Sequence, residues 1–201
     1  MKKTDSAPAA GRPASQAARH ARDGAAPADA PVLQGFAPVT TPQARVLVLG
    51  SMPGAISLRQ GRYYAHPRNA FWPIAAEILG FDPALDYALR LERLTQAGVA
   101  LWDVLQGCER EGSLDADIRN AVPNDFAGFL RAHPRLRRVC LNGGKAASLF
   151  RRQVLPSLPA ALADPLVCLD LPSTSPAHAA ISYEQKLAAW RSGLSLPAGQ
   201  G

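Results

Sequence analysis

Residues 46–72 read VLVLGSMPGAISLRQGRYYAHPRNAFW, and the first five of them decide the fold. Val46-Leu47-Val48-Leu49 is an unbroken apolar run ending at Gly50. A strand that is apolar at every position is one buried on both faces, as in parallel sheets covered by helices. The run breaks into a loop, residues 50–68, crowded with Gly, Pro and Arg and holding Tyr63, Tyr64 and His66. Asn69 and the pair Phe71-Trp72 come directly after it.

Outward from that strand, apolar runs and helical patterns alternate. Ala70–Leu79 has helical spacing, with Pro73 tolerable in a first turn. Leu85–Gln96 reads as a second helix with Gly98 as its C-terminal cap. Val99–Leu105 is the next strand, and Asp125–Ala132 a helix after Pro123-Asn124. Arg138–Leu141 is a third strand, breaking at Gly143-Gly144 into a helix over Lys145–Val154. Leu166–Leu171 is a fourth strand, followed by the loop PSTSPAH. The last helix begins at Ser182, where Gln185 completes a capping-box pattern, and runs to about Ser192. This alternation predicts an α/β fold: a three-layer α/β/α sandwich around a central, mainly parallel four-stranded sheet. Ligands of open α/β sheets bind outside the carboxyl ends of the strands, so the loops 50–68, 142–145 and 172–178 are expected to share one cleft.

A chain of 201 residues, 47% hydrophobic, can bury one full core. Residues 1–32 are rich in Ala, Pro, Gly and Ser without apolar periodicity and read as a disordered tail. The domain is expected over 33–194, with a frayed end at 195–201. No apolar run approaches the roughly 18 residues of a membrane helix, and no apolar stretch comes after Met1-Lys2-Lys3 as in a signal peptide. The expectation is a cytoplasmic protein. Cys108, Cys140 and Cys168 lie far apart without a C-x-x-C pair. They read as buried free thiols, with neither metal nor disulfide expected.

The net charge of +6 raises the prior for a polyanionic partner. The first 32 residues hold five basic and three acidic side chains, so most of the excess lies beyond them, and Arg59, Arg62 and Arg68 all fall near the first loop. The segment around Gly144-Lys145 is no phosphate-binding loop, since Val139 stands where the first Gly belongs and Ala146 comes after the lysine. No Ser-His-Asp, cysteine or paired-carboxylate constellation points to acyl transfer or ordinary sugar hydrolysis. The strand-end loops do combine aromatics for stacking, side-chain amides, backbone N–H groups and positive charge. A protein that extrudes a base from DNA needs such a set.

Taken in order, G-S-M-P-G (50–54), Y-Y-A-H-P-R-N-A-F-W (63–72), L-W-D-V-L (101–105), N-G-G-K-A (142–146) and L-P-S-T-S-P-A (171–177) resemble the uracil-DNA glycosylase superfamily. Within it they resemble the DNA-deoxyinosine (hypoxanthine-DNA) glycosylase branch, over roughly residues 44–193. Mismatch-specific uracil glycosylases read G-I-N-P-G in the first motif, and their water-positioning Asn falls on Met52 here. A thioether cannot orient water. Classical members carry a base-stabilising His at the head of the last motif, where this chain has Leu171.

The resemblance assigns the displaced catalytic work to Asn69, whose residue type also makes it a candidate N-cap of the next helix. It implies that Phe71 stacks the flipped base, with Gly50, Ser51, Met52, Pro53 and Gly54 as pocket wall and Tyr64, His66 and Asn142 bordering it. Ser173, Thr174 and Ser175 are expected to pinch the DNA backbone, and the segment to His178 to wedge the gap. His178 is a candidate for the missing electrophile, and Asp103 for a second polar group or a structural strand end. The resemblance implies a monofunctional glycosylase for hypoxanthine, with uracil or xanthine as further substrates. It is expected to act on double-stranded DNA, with single-stranded DNA as the alternative, as a monomer, without metal or cofactor, at the nucleoid. The alternatives are a uracil or mismatch-specific glycosylase, a non-catalytic binder of damaged DNA, and a hydrolase of free nucleosides.

Overall fold

A computed structural model of the chain describes residues 32–112 and 114–195. Of the tail expected over 1–32 and the frayed end expected over 195–201, all but Val32 and Ser195 lie outside the described residues, and Val32 belongs to a strand instead of the tail. In chain order the elements are β1 (Val32–Gln34), β2 (Val46–Gly50), α1 (Ala55–Gln60), α2 (Phe71–Leu79), α3 (Tyr87–Gln96) and β3 (Val99–Asp103). Next come β4 (Leu105–Glu109), β5 (Arg119–Pro123), α4 (Phe126–Ala132), β6 (Arg138–Asn142) and α5 (Gly144–Leu149). A short α6 (Ala160–Ala163), β7 (Val167–Leu171) and α7 (Tyr183–Leu194) complete the chain.

Four strands form one sheet in the order β3-β2-β6-β7, every pair parallel. β2 lies inside it, and all five of its residues are buried. Because side chains alternate across a strand, β2 feeds two cores. Leu47 and Leu49 join Trp102, Phe126, Phe129, Ala146 and Phe150 on one face. Val46 and Val48 join Phe71, Trp72, Leu94 and Trp190 on the other. Helices α4 and α5 therefore cover one side and α2, α3 and α7 the other, which is the predicted three-layer sandwich. At about 25 cal/mol per Å² of apolar surface removed from water, these two cores hold the layers together.

Several boundaries differ from the sequence reading, each for a tertiary reason. Val99–Leu105 is not one strand. Val104 donates its N–H to the Gly50 carbonyl at 2.8 Å and Leu105 to that of Ser51 at 3.1 Å. The chain thus leaves the parallel sheet at Asp103 and enters a second, antiparallel sheet ordered β1-β4-β5. The loop over 50–68 contains α1, ended by Gly61 in a left-handed conformation. The helix expected over Lys145–Val154 starts at Gly144 and widens into a π-turn over Phe150–Val154. The capping box at Ser182 and Gln185 is present, and α7 continues two residues past Ser192. Cys108 and Cys140 are buried and Cys168 half-buried, all three as free thiols.

Candidate active site at the carboxyl edge of the sheet

Parallel strands bring four carboxyl ends to one edge. Register places Gly50 of β2 opposite Asp103 of β3, and Asn142 of β6 opposite Leu171 of β7. The loops expected to share a cleft emerge there, tied to one another by specific hydrogen bonds.

The segment 50–54 is fastened from below. The Ser51 hydroxyl donates to Asp115 Oδ1 at 2.6 Å. Arg110, 1% exposed, donates from Nη2 to the Pro53 carbonyl at 2.5 Å. Its Nε and Nη1 find no partner among the described residues. Met52 is buried in the core with Trp102 and Phe126. It therefore forms part of the wall's foundation and not an open pocket surface. Gly54 leads into α1 without a side-chain cap.

Asn69 is half-buried, and its Oδ1 accepts the backbone N–H of Phe71 at 3.0 Å. The first helical residue is Phe71, so Ala70 holds the cap position. Asn69 supplies the capping bond from one residue further out, satisfying an N–H that the helix leaves unpaired. That bond orients the amide: one lone pair of Oδ1 is taken, and Nδ2 makes no hydrogen bond within the described residues. His66 Nδ1 accepts the Arg68 N–H at 3.0 Å, and the His66 carbonyl accepts the Asn69 N–H at 2.8 Å.

Phe71 has no exposed surface. The Tyr64 ring lies over it with centroids 4.2 Å apart and planes inclined by 31°. Tyr64 has φ +54°, a backbone region that aromatic residues rarely occupy. Burial, seconded by Asp103, pushes the Tyr64 hydroxyl well above the ordinary tyrosine value, against a smaller pull from the Asn142 side chain. Asp103 is 3% exposed and its Oδ2 has no partner among the described residues. Burial first, then the charge of Asp115, raises its carboxyl to about 7, against the pull of Arg110. The two orphaned groups converge on Gly50. A Cβ added there would stand 2.4 Å from Asp103 Oδ1 and 3.7 Å from the Tyr64 hydroxyl.

Asn142 and Thr174 are both buried and joined through both ends of the amide. The Thr174 side chain, 1% exposed, is thereby turned inward and away from any DNA backbone. Its carbonyl accepts the Ala70 N–H at 3.0 Å, joining the last loop to the start of α2 beside Asn69. Ser173 and Ser175 are half-buried, and their hydroxyls accept the backbone N–H groups of Ser175 and Ala177. Leu171 packs into the core with Phe71 and Trp190. The Lys186 ammonium donates to the His178 carbonyl at 2.8 Å, and the His178 ring, half-exposed, has no partner among the described residues.

The edge thus brings together Gly50, Tyr64, Phe71 and Asp103 in one cluster, and Asn69, Asn142 and Thr174 in another linked through Ala70. Met52 and Leu171 belong to the cores. Arg59, Arg62 and Arg68 are exposed near the first loop, with the Arg62 guanidinium 5.4 Å from the Tyr87 ring centre. Sequence reasoning missed Arg110 and Asp115. Neither stands in a motif, and only their burial and contacts single them out. Among the described residues no group of three or more His, Cys, Asp and Glu is placed to hold a metal ion. No helix of the described residues is long and apolar enough to cross a membrane.

The chemistry on offer is an aromatic pair, Tyr64 on Phe71, with a buried carboxyl and phenol near Gly50 and an amide oriented by the Phe71 N–H. The family model described as the uracil DNA glycosylase superfamily matches residues 37–192. A curated relative named hypoxanthine DNA glycosylase, from Methanosarcina barkeri, is 40% identical over 114 residues, covering 56% of this chain and 72% of the relative. A second of that name, from Methanosarcina acetivorans, is 34% identical over 135 residues, covering 63% and 85%. A solution NMR structure from the same organism, described as a candidate uracil DNA glycosylase, superposes with a TM-score of 0.69 at 30% identity. It covers 81% of this chain and 96% of that one.

Proposed function

The chain belongs to the uracil DNA glycosylase superfamily, and on that premise we propose that it excises a deaminated base from DNA, hypoxanthine first, by hydrolysing the N-glycosidic bond. The reading is carried to hypoxanthine by the two curated relatives, which both bear that name, one of them matched over 85% of its length. The product is an abasic site. Uracil and xanthine are the next substrates to consider.

In this reaction a water oxygen bonds to C1′ while the bond from C1′ to the base nitrogen breaks. The bond pair leaves with the base, and the water proton ends on the departing base or solvent. Positive charge builds on the sugar and negative charge on the base, so oriented dipoles lower the barrier. Asn69 is assigned the water. Its Oδ1 keeps one free lone pair while the Phe71 N–H holds the amide in place. An amide is a weak base, so this is positioning and not proton abstraction. Its free Nδ2 is a donor for the sugar or the leaving base.

Phe71 is wholly buried beneath the Tyr64 ring, so the stacking surface is assigned to Tyr64 with Phe71 as its backing, Gly50 to Gly54 to the wall, and His66 to the rim. Asp103, with its carboxyl at about 7, is neutral in a large fraction of molecules near neutral pH. It then donates to an acceptor on the base edge, a task the apolar Leu171 cannot perform. Asn142 acts by fixing Thr174 and the last loop. Backbone groups and the hydroxyls of Ser173 and Ser175 are assigned to the DNA phosphates, and the segment reaching His178 to the gap in the duplex. The only lysines are Lys2, Lys3, Lys145 and Lys186, none close in sequence to Asn69, so no strand-cleaving lyase step is proposed. The enzyme is read as a cytoplasmic monomer working on double-stranded nucleoid DNA of a bacterial cell.

The deciding experiment offers duplexes carrying deoxyinosine, deoxyuridine or deoxyxanthosine, and then alkali to break abasic sites. Breaks at the deoxyinosine strand are expected. If enzyme in excess yields none on any lesion, the reaction is not performed. Met52 and Leu171, both core residues, favour one rival, a binder of damaged DNA without catalysis. That rival predicts retained lesion binding and no breaks.

A further inference from the structure

Two arginines converge on one aromatic ring. The Arg62 guanidinium lies 5.4 Å from the Tyr87 ring centre, and that of Arg90 lies 5.7 Å from the same centre and 4.9 Å from that of Trp72. Neither has a carboxylate partner among the described residues, where the ion pairs are Arg151 with Asp170 and Arg191 with Glu77. Arg90 Nε is buried without a hydrogen-bond partner among them. Burial holds the Arg90 guanidinium below the usual arginine value, and the Arg62 charge adds to this against the pull of Tyr87 and Asp86. Like charges gathered in this way repel each other and attract an anion.

Their place in the fold says which anion. Arg62 is exposed in the loop that leaves β2, two residues before Tyr64. Arg90 stands in the first turn of α3, whose other end joins β3 through Gly98. The Gly98 carbonyl accepts the Arg45 N–H at the amino edge of the sheet, so the first turn of α3 lies at the carboxyl edge. Loop and helix are tied together there through Tyr63. Its N–H donates to the Tyr87 hydroxyl at 2.8 Å, and its carbonyl accepts Trp72 Nε1 at 3.1 Å. The two rings beneath the guanidinium groups are therefore fixed to the backbone next to Tyr64.

Resting on the glycosylase reading of the site, we infer that Arg62 and Arg90 bind the phosphate backbone of the DNA on the β3 side of the base site. The loop with Ser173 and Ser175 comes after β7, at the other end of the order β3-β2-β6-β7. Three strand spacings, about 14 Å, separate the two ends. Arginine suits the task because its planar fork meets phosphate oxygens two at a time. The aromatic platform holds both side chains before DNA arrives, which reduces the ordering cost of binding. Contacts of this kind set the position of the duplex and carry no base preference.

The test measures binding of a duplex bearing an uncleavable tetrahydrofuran site, by fluorescence anisotropy, between about 50 and 200 mM salt. Each phosphate contact adds about 0.9 to the steepness of log affinity against log salt. Arg62→Gln/Arg90→Gln should lower that steepness by about 0.9 or more. Arg62→Lys/Arg90→Lys, which keeps both charges, should restore most of it. Arg131→Gln/Arg135→Gln removes the same charge from exposed positions at the amino edge, between α4 and β6, and should leave the steepness unchanged. An unchanged steepness in the first variant, or an equal fall in the last, would overturn the proposal. A lower melting temperature with unchanged steepness would make the pair a mere cover for Trp72 and Tyr87. If the double variant fails to fold, Arg62→Glu decides, since its position is exposed. Affinity should then fall about tenfold by repulsion from the phosphate, and a change within about twofold would overturn the proposal. Excision from a deoxyinosine duplex is measured in parallel on the wild type. Its absence would remove the glycosylase reading, while the salt steepness would still decide whether the pair holds DNA.

Discussion

Asn142 and Thr174 hold each other by two hydrogen bonds of 2.9 Å, the Asn142 amide donating to the Thr174 hydroxyl and accepting the Thr174 N–H. Both residues are buried, so removing the amide strands two polar groups at a cost of about 1–3 kcal/mol each. Asn142→Ala should lower urea stability by that order, and excision should fall with it because the last loop is loosened. Thr174→Val, which keeps the N–H bond, should be milder in both. An Asn142→Ala protein of unchanged stability that no longer excises would instead place this amide on the base.

Asn69→Ser separates positioning of water from helix capping. A serine retains the capacity to accept an N–H at a helix start, but it does not hold a water as the amide does. Excision in single turnover should drop about 10²–10³-fold, the usual cost of one oriented polar group in such a site. Melting temperature and duplex affinity should stay near wild type. Undiminished excision would reduce Asn69 to its bond with the Phe71 N–H.

Asp103 should make stability depend on pH in an unusual direction. Its folded value near 7 lies above the ordinary carboxyl value of 3.8, so the folded state binds this proton more tightly than the unfolded one. Stability from this group is complete below the ordinary value and is lost as pH rises through the folded value. One unit is worth about 1.4 kcal/mol, so the loss is of the order of a few kcal/mol. Asp103→Asn, neutral throughout, should gain stability over the wild type at about pH 8 and gain less at about pH 5. The same replacement should flatten the decline of excision above neutrality. An equal stability gain at both pH values would contradict a raised carboxyl.

Gly50→Ala should be the most damaging small substitution at the sheet edge. The new methyl would stand 2.4 Å from Asp103 Oδ1, and no contact of that kind survives without displacement. Overpacking of this sort costs about 1–3 kcal/mol. Excision should fall further than stability, since the carboxyl moves first. Gly80→Ala is a poor control because its φ is +74°, whereas Gly144→Ala, with open space around its Cα, should be well tolerated.

Deletion of residues 1–31, which leaves β1 whole, should keep excision and duplex affinity within about twofold at physiological salt, as expected if the phosphate contacts come from the folded domain. A large loss would identify that segment as a DNA-binding arm.

The parallel sheet was legible because its signals are local. Five buried apolar residues in β2 announce burial on both faces, and Ser182 with Gln185 spells out a cap within four residues. The split between β3 and β4 was not legible, since Val104 and Leu105 are as apolar as a continuing strand. The split comes from capture of their N–H groups by Gly50 and Ser51, far away in sequence. Helix α1 escaped because only Ser57 in it is buried, leaving no apolar stripe to detect. β5, Arg-Asn-Ala-Val-Pro, lacks strand composition altogether. At the site, the types of Asn69, Phe71 and Asn142 were readable. That Asn142 commits its amide to Thr174, that Arg110 is buried, and that Tyr64 lies on Phe71 are tertiary facts, set by groups no spacing rule connects.

Only Val104 separates β3 from β4, and its amide and that of Leu105 are held by the carbonyls of Gly50 and Ser51, where β2 ends. The antiparallel sheet is therefore spliced directly onto the end of β2, beside the Gly50–Asp103 pair. Such a junction cannot fray by itself, because releasing it means parting two sheets at once. In hydrogen–deuterium exchange these two amides should be among the last to exchange, in step with global unfolding.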